Sequence, residues 1–140
     1  MRTTSTKKHN ARMDVPAAAA RYEIEVKRSR FIAEIVAIAD RPAAERAIRE
    51  KREKHPGAAH VVHAFSLGDE NSREFGMSDD GEPKGTAGRP VLEVLRGSGL
   101  TDCVITVVRY FGGTKLGTGG LVHAYGDAAK GCIAVTPTTE

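Results

Sequence analysis

From residue 22 to 27 the chain reads Tyr-Glu-Ile-Glu-Val-Lys, apolar and charged in turn, which is the period of a strand with one wet face. Residues 31–38 are apolar at nearly every position, so a turn at Arg28-Ser-Arg30 predicts a hairpin whose second strand is the more buried. Asp40 is placed to cap a helix, with Pro42 in its first turn and a narrow stripe of Ala44, Ala47 and Ile48, ending near His55-Pro56-Gly57. The charges at 51–54 read as the solvated face of that helix. Residues 59–67 predict a third strand, in which His63 shares a face with Val61 and Phe65 while His60 points the other way. Residues 68–75 are a polar turn with a short strand at its end. Val91, Leu92, Val94 and Leu95 predict a short helix that starts beside Pro90 and stops at Gly97. Residues 103–108 are apolar on both faces, as a central strand covered by helices would be. Leu121, Ala124, Tyr125, Ala128, Ala129 and Cys132 recur at helical spacing and predict an amphipathic final helix. The order strand, strand, helix, strand, helix, strand, helix implies one sheet with helices packed on it.

A chain of 140 residues fits one domain, expected over residues 21–135, after a disordered basic tail at 1–20. The charge count supports that division. Residues 1–21 carry a net +4 and the remainder −1, so the pI of about 9.0 comes from the tail and is poor evidence for a nucleic-acid-binding fold. No run approaches the roughly 18 to 20 apolar residues that cross a bilayer, and the first residues lack the apolar core of a secretory signal, so a cytoplasmic protein is expected. The two cysteines, Cys103 and Cys132, lack metal or redox spacing and fit core positions in a reduced compartment.

Twelve of the 15 glycines fall between Gly76 and Gly126, and that is where unusual backbone, and with it function, is expected. In the loop of Gly112, Gly113, Lys115, Gly117, Thr118, Gly119 and Gly120, glycines permit close approach, Thr118 is placed to cap the next helix, and Lys115 offers a mobile charge. With Arg109 just before it, this loop is a candidate anion or phosphate site. The spacing is neither a Walker loop nor a dinucleotide fingerprint, and the same glycines also serve a tight, closely packed turn. A second loop holds Asp79, Asp80 and Glu82. Three acids in four residues suit a hard divalent cation or an acid and base pair. Asp80-Gly81 equally reads as a turn dipeptide with solvated neighbours, and no metal-ligand spacing is recognised. Arg89 and Arg109 are placed to bridge the two loops as an internal ion-pair network. No nucleophile elbow occurs, and no catalytic residue, metal or cofactor is assigned.

Together, Ser29-Arg-Phe-Ile, Lys54-His-Pro, His60, Ser78-Asp-Asp-Gly-Glu-Pro, Gly85-Thr-Ala-Gly-Arg-Pro, Gly99-Leu and the stretch Arg109-Tyr-Phe-Gly-Gly-x-Lys-Leu-Gly-Thr-Gly-Gly-Leu-Val-x-Ala-Tyr-Gly resemble the IMPACT N-terminal domain family, which includes the bacterial YigZ-type proteins. The likeness extends from about Lys27 through Cys132. It implies an α+β, ribosomal-protein-S5-domain-2-like fold: a mainly antiparallel four-stranded sheet with helices packed on one face. For eukaryotic members the family is tied to a stress pathway that controls translation initiation; it is not an established enzyme family. The chain departs from the family at Val62 and His63, where Cys and an aromatic are common, and at Lys84, where Ser is usual. The small C-terminal ferredoxin-like domain of YigZ-type proteins is expected to be absent.

The reading is therefore a non-enzymatic binding module whose partner is the ribosome, RNA or a translation-related protein. The alternative is a metal-assisted phosphohydrolase or nucleotide-binding enzyme that uses both loops.

Overall fold

The N-terminal alternation becomes the edge of a sheet. In the computed structural model, which describes residues 13–138, β1 (Ala20–Val26) pairs antiparallel with β2 (Ser29–Ala37) across a two-residue turn. Lys27 and Arg28 both take positive φ, 48° and 70°, as a tight right-twisting hairpin demands. The turn thus lies just ahead of the expected Arg28-Ser-Arg30. Helix α1 (Arg41–Lys54) follows, with Asp40 capping it through the Ala43 amide at 2.9 Å. Next come β3 (His60–Asp69), β4 (Ser72–Ser78), α2 (Gly88–Gly97), β5 (Cys103–Tyr110) and α3 (Gly117–Ala134). All pairings are antiparallel in the order β1-β2-β5-β3-β4.

The sheet has five strands and not four. The added strand is β4, whose weak alternation is interrupted by Gly76. Its partner explains it. Phe65 lies directly opposite, and a Cβ on Gly76 would fall 2.5 Å from the Phe65 Cζ, so the ring occupies the space that a side chain would take.

Helices α2 and α3 share one face, where Phe31, Ile35, Val62, Ile105 and Val107 meet Val91, Leu95 and the α3 stripe. Helix α1 covers the other face through Ala44 and, more loosely, Ile48, over Phe65, Val104 and Val108. Two of the three helices therefore lie on one face, and the third accounts for a central strand that is apolar on both sides. The α3 stripe is buried at each of the six positions read from the spacing. Cys103 and Cys132 are free and buried; burial pushes their thiols up to about 12 and about 11, so neither is a ready nucleophile.

Of the expected N-terminal tail, residues 1–12 lie outside the described residues. The next segment is tied down: Asp14 bridges to Leu100, and Pro16 to Thr138. No described helix is long and apolar enough to cross a membrane.

Candidate functional site

The acidic and glycine-rich loops meet at the end of β5. Arg109 leaves the last turn of that strand on the α2/α3 face and is almost wholly buried. Its Nη1 donates to both carboxylate oxygens of Glu82, at 3.0 and 2.8 Å. The Tyr125 hydroxyl on α3 donates to the same carboxylate at 2.5 Å. Burial and then this hydrogen bond push the Tyr125 phenol far above its ordinary range, so it stays a neutral donor. Arg109 Nη2 reaches Ser29 Oγ at 3.3 Å, and Ser29 Oγ also accepts the Gly112 amide at 3.2 Å. The guanidinium lies against the rings of Phe31 and Phe111, each centroid 5.5 Å away. Gly112, Ser29, Arg109, Glu82 and Tyr125 thus form one continuous polar chain from loop to helix.

His60 adjoins it. Its Nδ1 is 2.7 Å from the Asp80 carbonyl oxygen, which only accepts, so Nδ1 carries a proton. That leaves Nε2 facing Glu82 Oε1 at 3.5 Å.

The other acids turn away. Asp79 accepts the amides of Gly85 at 3.0 Å, Ala87 at 3.1 Å and Gly88 at 2.8 Å, and so satisfies the N-terminus of α2. Asp80 accepts both Nη groups of Arg52 on α1, at 3.0 and 2.9 Å, and the Val61 amide at 2.7 Å. Asp80 and Gly81 are left-handed, φ 45° and 90°, as the turn dipeptide required. The three carboxylates therefore do not converge as cation ligands, and no group of three or more metal-ligating side chains exists among the described residues. The alternative reading, in which Asp79, Asp80 and Glu82 hold an ion, loses its donor set. The charges at 51–54 are also less solvated than expected, since Arg52 holds Asp80 and Lys51 pairs with Glu34.

Arg89 does not bridge the loops; it is exposed and lies 3.6 Å from Glu93 on its own helix. Arg109 does bridge them, but its charge is spent on Glu82. Thr118 is not the cap of α3. The helix begins two residues earlier than that cap would allow, at Gly117, whose φ of 77° only glycine takes easily, and Leu116 at the cap position offers no side-chain acceptor. The amides of Gly117, Thr118 and Gly119 consequently have no acceptor among the described residues. Gly113, φ 94°, and Gly119 stand in open space, whereas a Cβ at Gly120 would touch Leu116.

Between the loops lies a cavity of about 460 Å³, walled by Pro83, Phe111, Leu116 and Leu121 and reached by Glu82, Arg109, Lys115, Gly117 and Thr118. Lys115 is exposed and has no ion-pair partner among the described residues. A larger groove of about 700 Å³ runs between α2 and α3, past Val94, Val122 and Ile133, away from both loops. The sequence reading did not assign His60, Phe111, Ser29 or Tyr125 to the site, although all four stand in the motifs that carry the family resemblance. The structure places His60 opposite Arg109 in the β3 and β5 register.

Burial opposes ionisation of Asp79, and the amides of Gly85, Gly88 and Ala87 outweigh it, so the carboxyl titrates below its ordinary 3.8. At Asp80 burial is likewise outweighed, by Arg52 and the Val61 amide. With both folded values depressed, the stability these groups contribute is whole above about pH 4 and drains away as pH falls through the folded values. Thermal melts taken down to strongly acidic pH are expected to show Tm falling below about pH 4, with a shallower fall in Asp79→Asn.

A family model, the Impact N-terminal domain, matches residues 27–133. The IMPACT family member YigZ of Escherichia coli (strain K12) is 46% identical over 133 residues, covering 90% of this chain and 65% of that protein. The IMPACT family member YvyE of Bacillus subtilis (strain 168) is 44% identical over 112 residues, covering 80% of this chain and 51% of that protein. The chain thus spans between about half and two thirds of these relatives' length. A crystal structure described as a hypothetical protein superposes with a TM-score of 0.88 at 41% identity, over 91% of this chain and 63% of its own. A two-domain translational regulator, Yih1, shares the fold with a TM-score of 0.53 at 18% identity, over 97% of this chain and 54% of its own. By the family model and by these relatives, the chain belongs to the IMPACT family, and residues 27–133 are its Impact N-terminal domain.

Proposed function

We propose that the chain is a non-enzymatic, cytoplasmic binding module that docks on the translation machinery by holding an anionic group of its partner between the two loops. The observation that carries this reading is the start of α3, where three backbone amides without acceptors among the described residues stand beside the exposed Lys115 at a cavity mouth. The fold removes the competing internal anions: Glu82 is neutralised by Arg109, and Asp79 and Asp80 are held by α2 and α1. Family membership and the description of Yih1 as a translational regulator support a translation-related partner, namely the ribosome, RNA or a translation factor.

The working residues are Lys115, Gly117, Thr118 and Gly119, with Gly112, Gly113 and Gly120 shaping the loop and Arg109 positioning it. Gly119 is the most useful probe, because a side chain there meets nothing within 4 Å and a carboxylate would sit on the helix N-terminus. Gly119→Glu and Lys115→Glu are expected to leave the Tm nearly unchanged while abolishing co-sedimentation with ribosomes or RNA at low salt. If phosphates are the anions, Lys115→Ala also lowers the salt slope of log K by about 1. Unchanged co-sedimentation in both charge-reversal variants would overturn the proposal.

A further inference from the structure

Among the described residues the cavity has one charge without an ion-pair partner, and its walls are largely apolar, a combination that selects among anions. We infer that it accepts a monocarboxylate carried on an apolar body of about one side chain, with the carboxylate at the amides of Gly117 to Gly119 and Lys115, and the body against Phe111, Leu116 and Leu121. The inference rests on the reading of this face as an anion site and narrows the ligand class. Because the Glu82 and Arg109 charges cancel, Lys115 is the ion beside the cavity that has no partner among the described residues, which matches a single negative charge and not a phosphate dianion. Ala59, Pro83, Phe111, Leu116 and Leu121 have no side-chain polar atom, which leaves His60 and Thr118, beside the charged groups, to meet the ribose hydroxyls of a phosphodiester, so the wall suits an apolar body better. The ring of Phe111, which also carries the Arg109 guanidinium 5.5 Å from its centroid, is 53% exposed at this wall and leaves a large apolar surface open to a ligand. A further donor is unmet: Arg109, which lines the cavity and whose side chain is only 6% exposed, keeps Nε without an acceptor among the described residues. The volume, about 460 Å³, lies within the range of small-ligand sites.

Two sources supply such a group, a free apolar acid or the last residue of a polypeptide. The test is a set of calorimetric and NMR titrations of the full chain with phenylacetate, phenylacetamide, a short peptide ending in leucine, its C-terminal amide, inorganic phosphate and adenosine monophosphate. The acids are expected to bind and to shift the Gly117 and Gly119 amide resonances. Each amide should bind about tenfold more weakly or worse, having lost the charge-assisted hydrogen bonds. A tighter peptide acid assigns the site to a chain terminus, and tighter phenylacetate assigns it to a free acid; both support the inference. Lys115→Met and Phe111→Ser, both at exposed positions, should each weaken the acids by about tenfold. Equal binding of acid and amide, stronger binding of phosphate or the nucleotide, or no carboxylate binding at millimolar concentration would overturn it. Ribosome co-sedimentation that still depends on Lys115 would then leave the docking proposal standing without this ligand class.

Discussion

Glu82→Ala will destabilise the fold by about 3–5 kcal/mol, the largest loss expected from a single truncation of a polar side chain here. The reason is what remains. Arg109 stays almost fully buried with its charge uncompensated, and the Tyr125 hydroxyl loses its acceptor. The ion pair itself contributes less than this, because both groups leave water to form it. The double variant Glu82→Ala, Arg109→Met is therefore expected to be less damaged than the single Glu82→Ala, which urea unfolding of the wild type, both single variants and the double will check. Additive losses would show that the two side chains do not act as a unit.

Gly112→Ala is expected to cost about 1–3 kcal/mol or more, although it adds one methyl group at the surface end of a strand. The Cβ would fall 2.5 Å from the amide nitrogen of Ser29 and closer still to the Arg28 carbonyl, and backbone cannot step aside as a side-chain tip can. Relieving the clash means separating the Gly112 amide from Ser29 Oγ, which also holds Arg109. Gly113→Ala meets no atom within 4 Å and pays only for its positive φ, so it should lose less. The pair of melts separates crowding from backbone strain at adjacent glycines.

What could be read from the chain were features whose cause is local. The α3 stripe and the Asp40 cap depend on neighbours within a turn or two, and the apolar run of β5 shows in its own residues; each is found where the spacing placed it. Strand β4 was reduced to a short piece because Gly76 breaks its pattern, and the ring that compensates lies on another strand. The two loops were visible as special backbone, but their division of labour was not. Asp79 reaches amides six to nine residues ahead, and Arg109 pairs with a carboxylate 27 residues behind it. Nothing in composition tells such a carboxylate from a solvated one. Thr118 was assigned the cap because its side chain suits the role, yet the positive φ of Gly117 starts the helix first.

The strand order carries a consequence for how the molecule is made. The β1-β2 and β3-β4 hairpins are each local, but they do not touch as neighbours; the seam between them is filled by β5. During synthesis both hairpins emerge while the piece that joins them is still inside the ribosome, so each waits with an open edge on its inner side. Closure demands pairings distant in sequence, a pattern that slows folding and exposes nascent chains to mispairing. Arg109 arrives with that closing strand, so its ion pair with Glu82 can form only once β5 has reached the seam.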